Sequence, residues 1–156
     1  MEPAVIDHVN IVVTDMERSI EFYRDVVGLQ AGFEGVLEGE WIDRVTGLQD
    51  VKARCVFMES PDFPVRIELL RFEGATRAGM DVNSLPNVPG IRHLAFRVPD
   101  MDTFCARLHA AGVETVSGPV SVPFPLPGGR RKRLCYFFDP DGVLLEAAEY
   151  RVVSGW

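Results

Sequence analysis

Short apolar, β-branched runs recur along the chain, and two segments between them carry apolar residues at helical spacing. Such runs are typical of β-strands, whereas a spacing of three or four residues is typical of an amphipathic helix. Strands are predicted at 5–13, 30–38, 51–59, 64–72, 90–98, 113–117, 131–138 and 143–149. The two helices are predicted to begin at Thr14 or Asp15 and at Asp100 or Asp102, and to end at Gly28 and Gly112. Residues 39–50 fit either one helical turn or a flap.

The order strand–helix–strand–strand–strand occurs twice, so the chain is predicted to contain two tandem βαβββ modules. The first spans 5–72 and the second 90–150, joined by a linker at 73–89 that is rich in Gly, Pro and Asn. Local sequence repeats as well, because 7–16 and 92–101 align with an offset of 85 residues and share a His, an Asp and a Met. We therefore expect a single domain over 1–156, of the α+β class.

Composition narrows the functional classes. Hydrophobic residues make up 47% of the chain and charged residues 25%, as in soluble globular proteins. No apolar run approaches the ~20 residues of a membrane helix, and the N-terminus shows no secretory pattern, so we expect no membrane contact and a cytoplasmic location. A net charge of -7 disfavours nucleic acid as a partner. The three cysteines lack CxxC spacing and are expected to be buried thiols.

Each module carries one His near its first strand and one Glu in its last strand: His8, Glu68, His93 and Glu146. The neighbours of each Glu along its strand are apolar and point to the opposite face, which suits a sheet whose convex face packs on helices. A carboxylate on the concave face is costly unless it is paired or coordinated. Taken singly, a strand His is usually a structural residue that makes hydrogen bonds. The repeat favours joint ligation of one divalent metal ion, which could be Ni, Co, Zn, Mn or Fe.

Polar residues near these positions are candidate substrate contacts: Asn10, Arg54, Arg97 and Arg133. Asn10 shares a strand face with His8, and Arg133 belongs to a basic run at 130–133. Arginine binds carboxylate or phosphate bidentately, so an anionic substrate such as a CoA thioester would suit these side chains. The basic run fits a solvated patch on an acidic protein equally well.

Several segments together carry a family resemblance: Asp7-His8-Val9, 15–23, Gly28-Leu29, 90–98, and 139–142 leading into Leu145-Glu146. They resemble the vicinal oxygen chelate superfamily, which includes glyoxalase I, methylmalonyl-CoA epimerase, extradiol dioxygenases and fosfomycin and bleomycin resistance proteins. The resemblance implies a cupped, barrel-like mixed sheet around a metal ion, with the helices outside. It also implies that the two His and two Glu residues named above occupy the four ligand positions, and that the protein is a homodimer.

A Glu at position 68 is similar to the glyoxalase I and epimerase branch, and so is the segment 90–98. That similarity implies a metal-dependent lyase or isomerase, which abstracts a proton next to a metal-chelated oxygen of a small oxygenated substrate. Glu68 and Glu146 would then serve as ligands and as proton carriers. Two alternatives stay open. One is an Fe(II) extradiol-type dioxygenase, and the other is a non-catalytic drug-binding or resistance protein of the same fold.

Overall fold

Two units, Met1–Ala78 and Gly79–Trp156, make up the chain in the computed structural model, which describes residues 6–74, 90–124 and 126–152. The boundary between the units falls within the predicted linker at 73–89, of which 75–89 lie outside the described residues. Each unit contains one predicted βαβββ module, so the α+β class and the tandem modules are confirmed. The described strands form two four-stranded mixed sheets, one in each unit.

The first unit contains β1 (His8–Val12), α1 (Met16–Glu21), β2 (Gln30–Glu38), α2 (Glu40–Thr46), β3 (Lys52–Ser60) and β4 (Phe63–Phe72). The strand order is β1-β4-β3-β2, with β1 parallel to β4 and the other neighbours antiparallel. The Asp15 side chain caps α1 by accepting a hydrogen bond from the Arg18 amide at 3.1 Å. A π-helical turn over Phe22–Val27 continues α1, and Gly28 ends it with φ +94°, a conformation that glycine adopts readily.

The stretch at 39–50, for which the sequence predicts either one helical turn or a flap, contains helix α2. Its buried Ile42 packs with Val51 and Ala53, so the helix covers part of a small apolar cluster beside β3. The Asp43 carboxylate accepts hydrogen bonds from the amides of Asp50 and Val51, at 3.2 and 2.8 Å. These bonds tie the following loop back to the helix. The stretch is therefore a short helix followed by a loop that is hydrogen-bonded to it.

The second unit contains β5 (Leu94–Arg97), α3 (Met101–Ala110), β6 (Val120–Ser121), β7 (Arg130–Phe138) and β8 (Leu144–Val152). The strand order is β5-β8-β7-β6, with β5 parallel to β8, as β1 is to β4 in the first unit. Asp100 caps α3 by accepting a hydrogen bond from the Thr103 amide at 2.7 Å. The predicted strand at 90–98 is shorter than expected, because regular pairing covers only β5.

One predicted strand of the second unit is wrong. Residues 113–117 make a single isolated bridge, between Thr115 and Phe137, and regular pairing with β7 occurs at β6 instead. Gly118 and Pro119 separate the bridge from β6. Proline has no amide hydrogen to donate to a strand ladder, so the pairing with β7 is interrupted there.

The face of each sheet that meets its helix forms the core. In β4, Ile67 and Leu69 are buried, and Glu68 between them points to the opposite face. In β8, Leu145 and Ala147 are buried on the face where the Phe104 ring of α3 packs against β7. The predicted alternation around both glutamates is therefore confirmed. None of the helices in the described ranges is long and apolar enough to cross a membrane.

Candidate functional site

His8 and Glu68 meet on the sheet face of the first unit that lies opposite its buried core. Parallel pairing of β1 and β4 places Asn10 beside Glu68, and His8 lies two residues earlier on the same face. Nε2 of His8 is 3.4 Å from Oε2 of Glu68, and Asn10 donates a hydrogen bond to that oxygen at 3.0 Å. We call this face, and the equivalent one in the second unit, the His–Glu face. The His8 side chain is 38% exposed, so small molecules in solution can reach it.

Asp7 fixes the orientation of the His8 ring. Its Oδ2 lies 2.8 Å from Nδ1 of His8 and accepts a hydrogen bond from Arg66 at 2.7 Å. The hydrogen bond with His8, and then the one with Arg66, holds the pKa of Asp7 below its ordinary value. An ionised carboxylate can only accept hydrogen bonds, so Nδ1 carries the ring proton. In the neutral ring, the lone pair of Nε2 therefore faces Glu68.

The second unit repeats this arrangement with His93 and Glu146. Nε2 of His93 is 3.5 Å from Oε2 of Glu146. Glu146 pairs across the sheet with Tyr136, and the ring centroids of Tyr136 and His93 are 5.2 Å apart. The Glu146 side chain is only 6% exposed. A carboxylate buried to that extent requires a partner.

Lys132 is that partner, although it is not among the site residues predicted from the sequence. Its Nζ donates a hydrogen bond to Oε1 of Glu146 at 2.6 Å. Burial alone would lower the pKa of Lys132, but the hydrogen bond with Glu146 and the attraction between the charges hold it above the ordinary 10.5. The ammonium group is therefore charged at neutral pH. Oε2, the other oxygen of Glu146, is the one that faces His93.

Each unit thus brings one imidazole nitrogen and one carboxylate oxygen together. Two atoms that each lie about 2.0–2.2 Å from one metal ion are separated by roughly 3.0–3.5 Å, close to both observed distances. Nitrogen and carboxylate donors suit Zn, Ni, Co, Mn or Fe. Within each unit, the residues that the structure describes form no larger metal-binding group of His, Cys, Asp and Glu. The donor chemistry of the pairs fits a divalent ion.

The predicted substrate contacts divide between the two faces of the sheets. Asn10 contacts Glu68, and Arg97 lies on the His–Glu face of the second unit, in register with Ala148. Arg54 is on the helix side of the first sheet, where it binds Glu17 and Glu34. Arg133 is on the helix side of the second sheet, where its guanidinium donates two hydrogen bonds to Asp102, at 2.7 and 3.0 Å. The structure brings neither Arg54 nor Arg133 to a His–Glu pair.

The sequence of this chain is similar to those of several known proteins. The sequence profile of the Glyoxalase/Bleomycin resistance protein/Dioxygenase superfamily matches residues 5–147. The uncharacterized protein YwkD of Bacillus subtilis (strain 168) is 32% identical over 144 residues, which cover 92% of this chain and 95% of YwkD. A lactoylglutathione lyase of Pseudomonas putida is 29% identical over 159 residues, with 93% of this chain and 84% of that protein covered.

A solved structure agrees. The crystal structure of a glyoxalase family protein from Bacillus cereus superposes with a TM-score of 0.80 at 31% sequence identity, and 96% of each chain is covered. Sequence profile, relatives and fold are therefore consistent with one another and with the resemblance seen in the sequence. The chain belongs to the Glyoxalase/Bleomycin resistance protein/Dioxygenase superfamily.

Proposed function

We propose that this chain is a metal-dependent lyase or isomerase of the glyoxalase type. In this proposal, His8, Glu68, His93 and Glu146 hold one divalent ion, and a proton moves next to a chelated oxygen of a small substrate. The observation that carries the proposal is the repeated pair of one His Nε2 and one Glu Oε2, 3.4 and 3.5 Å apart in the two units. A relative that is a lactoylglutathione lyase supports the lyase class.

The surroundings of the pairs support ligation. Asp7 holds the His8 ring through Nδ1, so Nε2 is free to act as a ligand. Asn10 and Lys132 hold Glu68 and Glu146 by hydrogen bonds, which keeps both carboxylates oriented. When bound, the ion would act as a Lewis acid that polarises a substrate oxygen and acidifies the adjacent C–H.

The two carboxylates differ in the charge of their partners, and this difference suggests separate roles. Glu68 receives hydrogen bonds from neutral groups, Asn10 and the Cys55 thiol, the latter at 3.5 Å. Glu146 receives its hydrogen bond from the charged Lys132. A proton taken up by Glu146 would weaken an ion pair, whereas a proton taken up by Glu68 would not. We therefore assign Glu68 as the main proton carrier, with Glu146 as the second.

The test is turnover by purified protein reconstituted with Ni, Co, Zn, Mn or Fe, on hemithioacetals and on 2-acyl-CoA epimers. We expect Glu68→Gln and Glu146→Gln to lower kcat by about 100-fold or more, the usual contribution of a positioned acid or base. Glu21→Gln is the matched control, since Glu21 is exposed on α1, on the helix side of the first sheet. Full turnover by both site variants on an active substrate would refute the proposed roles. Stoichiometric iron with oxygen uptake on catechols would identify a dioxygenase instead.

A further inference from the structure

We propose that the second unit contains a subsite for an anionic group, carboxylate or phosphate, next to Glu146. Three cationic side chains surround one aromatic ring on the His–Glu face. The guanidinium carbons of Arg97 and Arg130 lie 5.4 and 5.6 Å from the centroid of the Tyr150 ring, and Nζ of Lys132 lies 5.6 Å from it. We call these four residues the Tyr150 cluster.

Strand register brings the cluster together. Antiparallel pairing of β7 and β8 places Lys132 opposite Tyr150, and Arg130 lies two residues earlier on the same face. Parallel pairing of β5 and β8 places Arg97 beside Ala148, two residues from Tyr150 on that face. The convergence therefore follows from three strands of one sheet, and it does not depend on a loop.

Among the residues that the structure describes, carboxylates balance only part of the charge of the cluster. Lys132 pairs with Glu146, but Arg97 has no carboxylate partner within the described residues. Arg130 donates a hydrogen bond only to the carbonyl oxygen of Pro127, at 3.3 Å, among the groups that the structure describes. By contrast, Arg133 on the helix side of the same sheet pairs with Asp102. Like charges held together on an acidic chain favour an anionic ligand.

The chemistry of the cluster suits a carboxylate or a phosphate. A guanidinium presents a planar fork of donors that matches the oxygens of either group. The face of the Tyr150 ring attracts the cations and holds them near their binding positions, which reduces the ordering cost when a ligand arrives. Lys132 belongs to the cluster and also donates a hydrogen bond to Glu146, so a bound anion would lie next to a carboxylate of the proposed active site.

This inference rests on the proposed function only for the role of the anion, which would be a charged group of the substrate. The binding itself is tested on metal-free, full-length protein by calorimetric titration with inorganic phosphate and, separately, with succinate. Ionic strength is held constant with chloride. Tighter binding of phosphate would indicate a phosphorylated substrate, and tighter binding of succinate would indicate a carboxylate; either result supports the subsite.

Variants decide whether binding occurs at the cluster. We expect Arg97→Gln and Arg130→Gln to weaken binding of the preferred anion about tenfold or more, the effect of losing one charge-assisted hydrogen bond. Arg131→Gln is the matched control, because Arg131 lies between Arg130 and Lys132 on β7 and points to the other face. This control should bind as the wild type does.

Two results would overturn the inference: no measurable binding of either anion at millimolar concentration, or equal weakening in Arg131→Gln. Metal content separates this failure from failure of the proposed function. Arg97→Gln and Arg130→Gln should retain as much bound metal as the wild type, whereas His8→Ala should lose metal and retain anion binding. The proposal of the anion subsite and the proposal of the metal site can thus be refuted independently.

Discussion

Nζ of Lys132 lies 2.6 Å from Oε1 of Glu146, a carboxylate that is almost fully buried on the His–Glu face of the second unit. Removing the cation would leave that carboxylate without its charged partner. Breaking a buried pair from one side is far more costly than replacing both partners. We predict that Lys132→Met lowers the free energy of unfolding of the metal-free protein by roughly 3 kcal/mol, measured by urea denaturation.

The double variant Lys132→Met/Glu146→Gln controls for lost packing and should recover most of that stability. The pH dependence gives a second check. The folded-state pKa of Lys132 is raised, so its contribution is complete at neutral pH and is lost as pH rises above the ordinary 10.5. The stability difference between wild type and Lys132→Met should be constant between about pH 7 and 9 and then narrow. A single variant as stable as the wild type would show that the pair contributes little.

Asp7 is expected to be a positioning residue for His8. Its carboxylate lies 2.8 Å from Nδ1, and such partners set the tautomer and orientation of ligating imidazoles. We predict that Asp7→Asn weakens binding of Zn(II) or Co(II) by about 10- to 100-fold, measured by competition with a chelator. Asp62→Asn, at an exposed turn of the same unit, is the matched control and should bind as the wild type does. Unchanged affinity in Asp7→Asn would exclude the positioning role.

The two faces of β4 should separate stability from function. Leu69 is fully buried on the helix side, and Glu68 lies next to it on the other side. We predict that Leu69→Ala lowers the free energy of unfolding by about 2–5 kcal/mol, the usual cost of such a cavity. Glu68→Gln should change the stability of the metal-free protein by less than about 1 kcal/mol, because its partners are neutral. Equal destabilisation by both variants would mean that Glu68 is a structural residue.

Cys55 should be unreactive although it lies beside the proposed site. Burial, and then the charge of Glu68, raises the pKa of the Cys55 thiol to about 12, so almost no thiolate forms near pH 8. Cys105 is only partly buried. We predict that iodoacetamide at pH 8 modifies Cys105 well before Cys55, as followed by peptide mass spectrometry. Faster modification of Cys55 would show that its surroundings are more open than described.

Much of the fold follows from the sequence because its signals are local. The strand at 30–38 was predicted with the bounds of β2, and Asp15, Gly28 and Asp100 mark helix ends as expected. The prediction of a strand at 113–117 was wrong because regular pairing with β7 occurs at β6 instead. Strand β6 lies beyond Gly118 and Pro119, and its two residues are too few to show a pattern of their own. Such short pairing depends on what the neighbouring strand offers rather than on the segment itself.

The candidate site was predictable to the extent that alternation along one strand decides it. Glu68 and Glu146 lie between apolar neighbours, so the face of each could be inferred. The faces of Arg54 and Arg133 could not be inferred from arginine chemistry alone, since they depend on pairing with adjacent strands. The turn at 139–142 contains the sequence signal from which the position of Lys132 could have been predicted. It fixes the register of β7 on β8, and this register places Lys132 on the face of Glu146.

Metal content per chain tests the central proposal most directly. Untagged protein, as purified and after reconstitution, is measured by elemental mass spectrometry, together with His8→Ala, His93→Ala and the control His109→Ala. His109 lies on the exposed side of α3. We predict about one divalent ion per chain in the wild type and in His109→Ala, and a marked loss in each of the other two variants. No metal bound or taken up by the wild type, or full occupancy in both site variants, would contradict the proposed metal site.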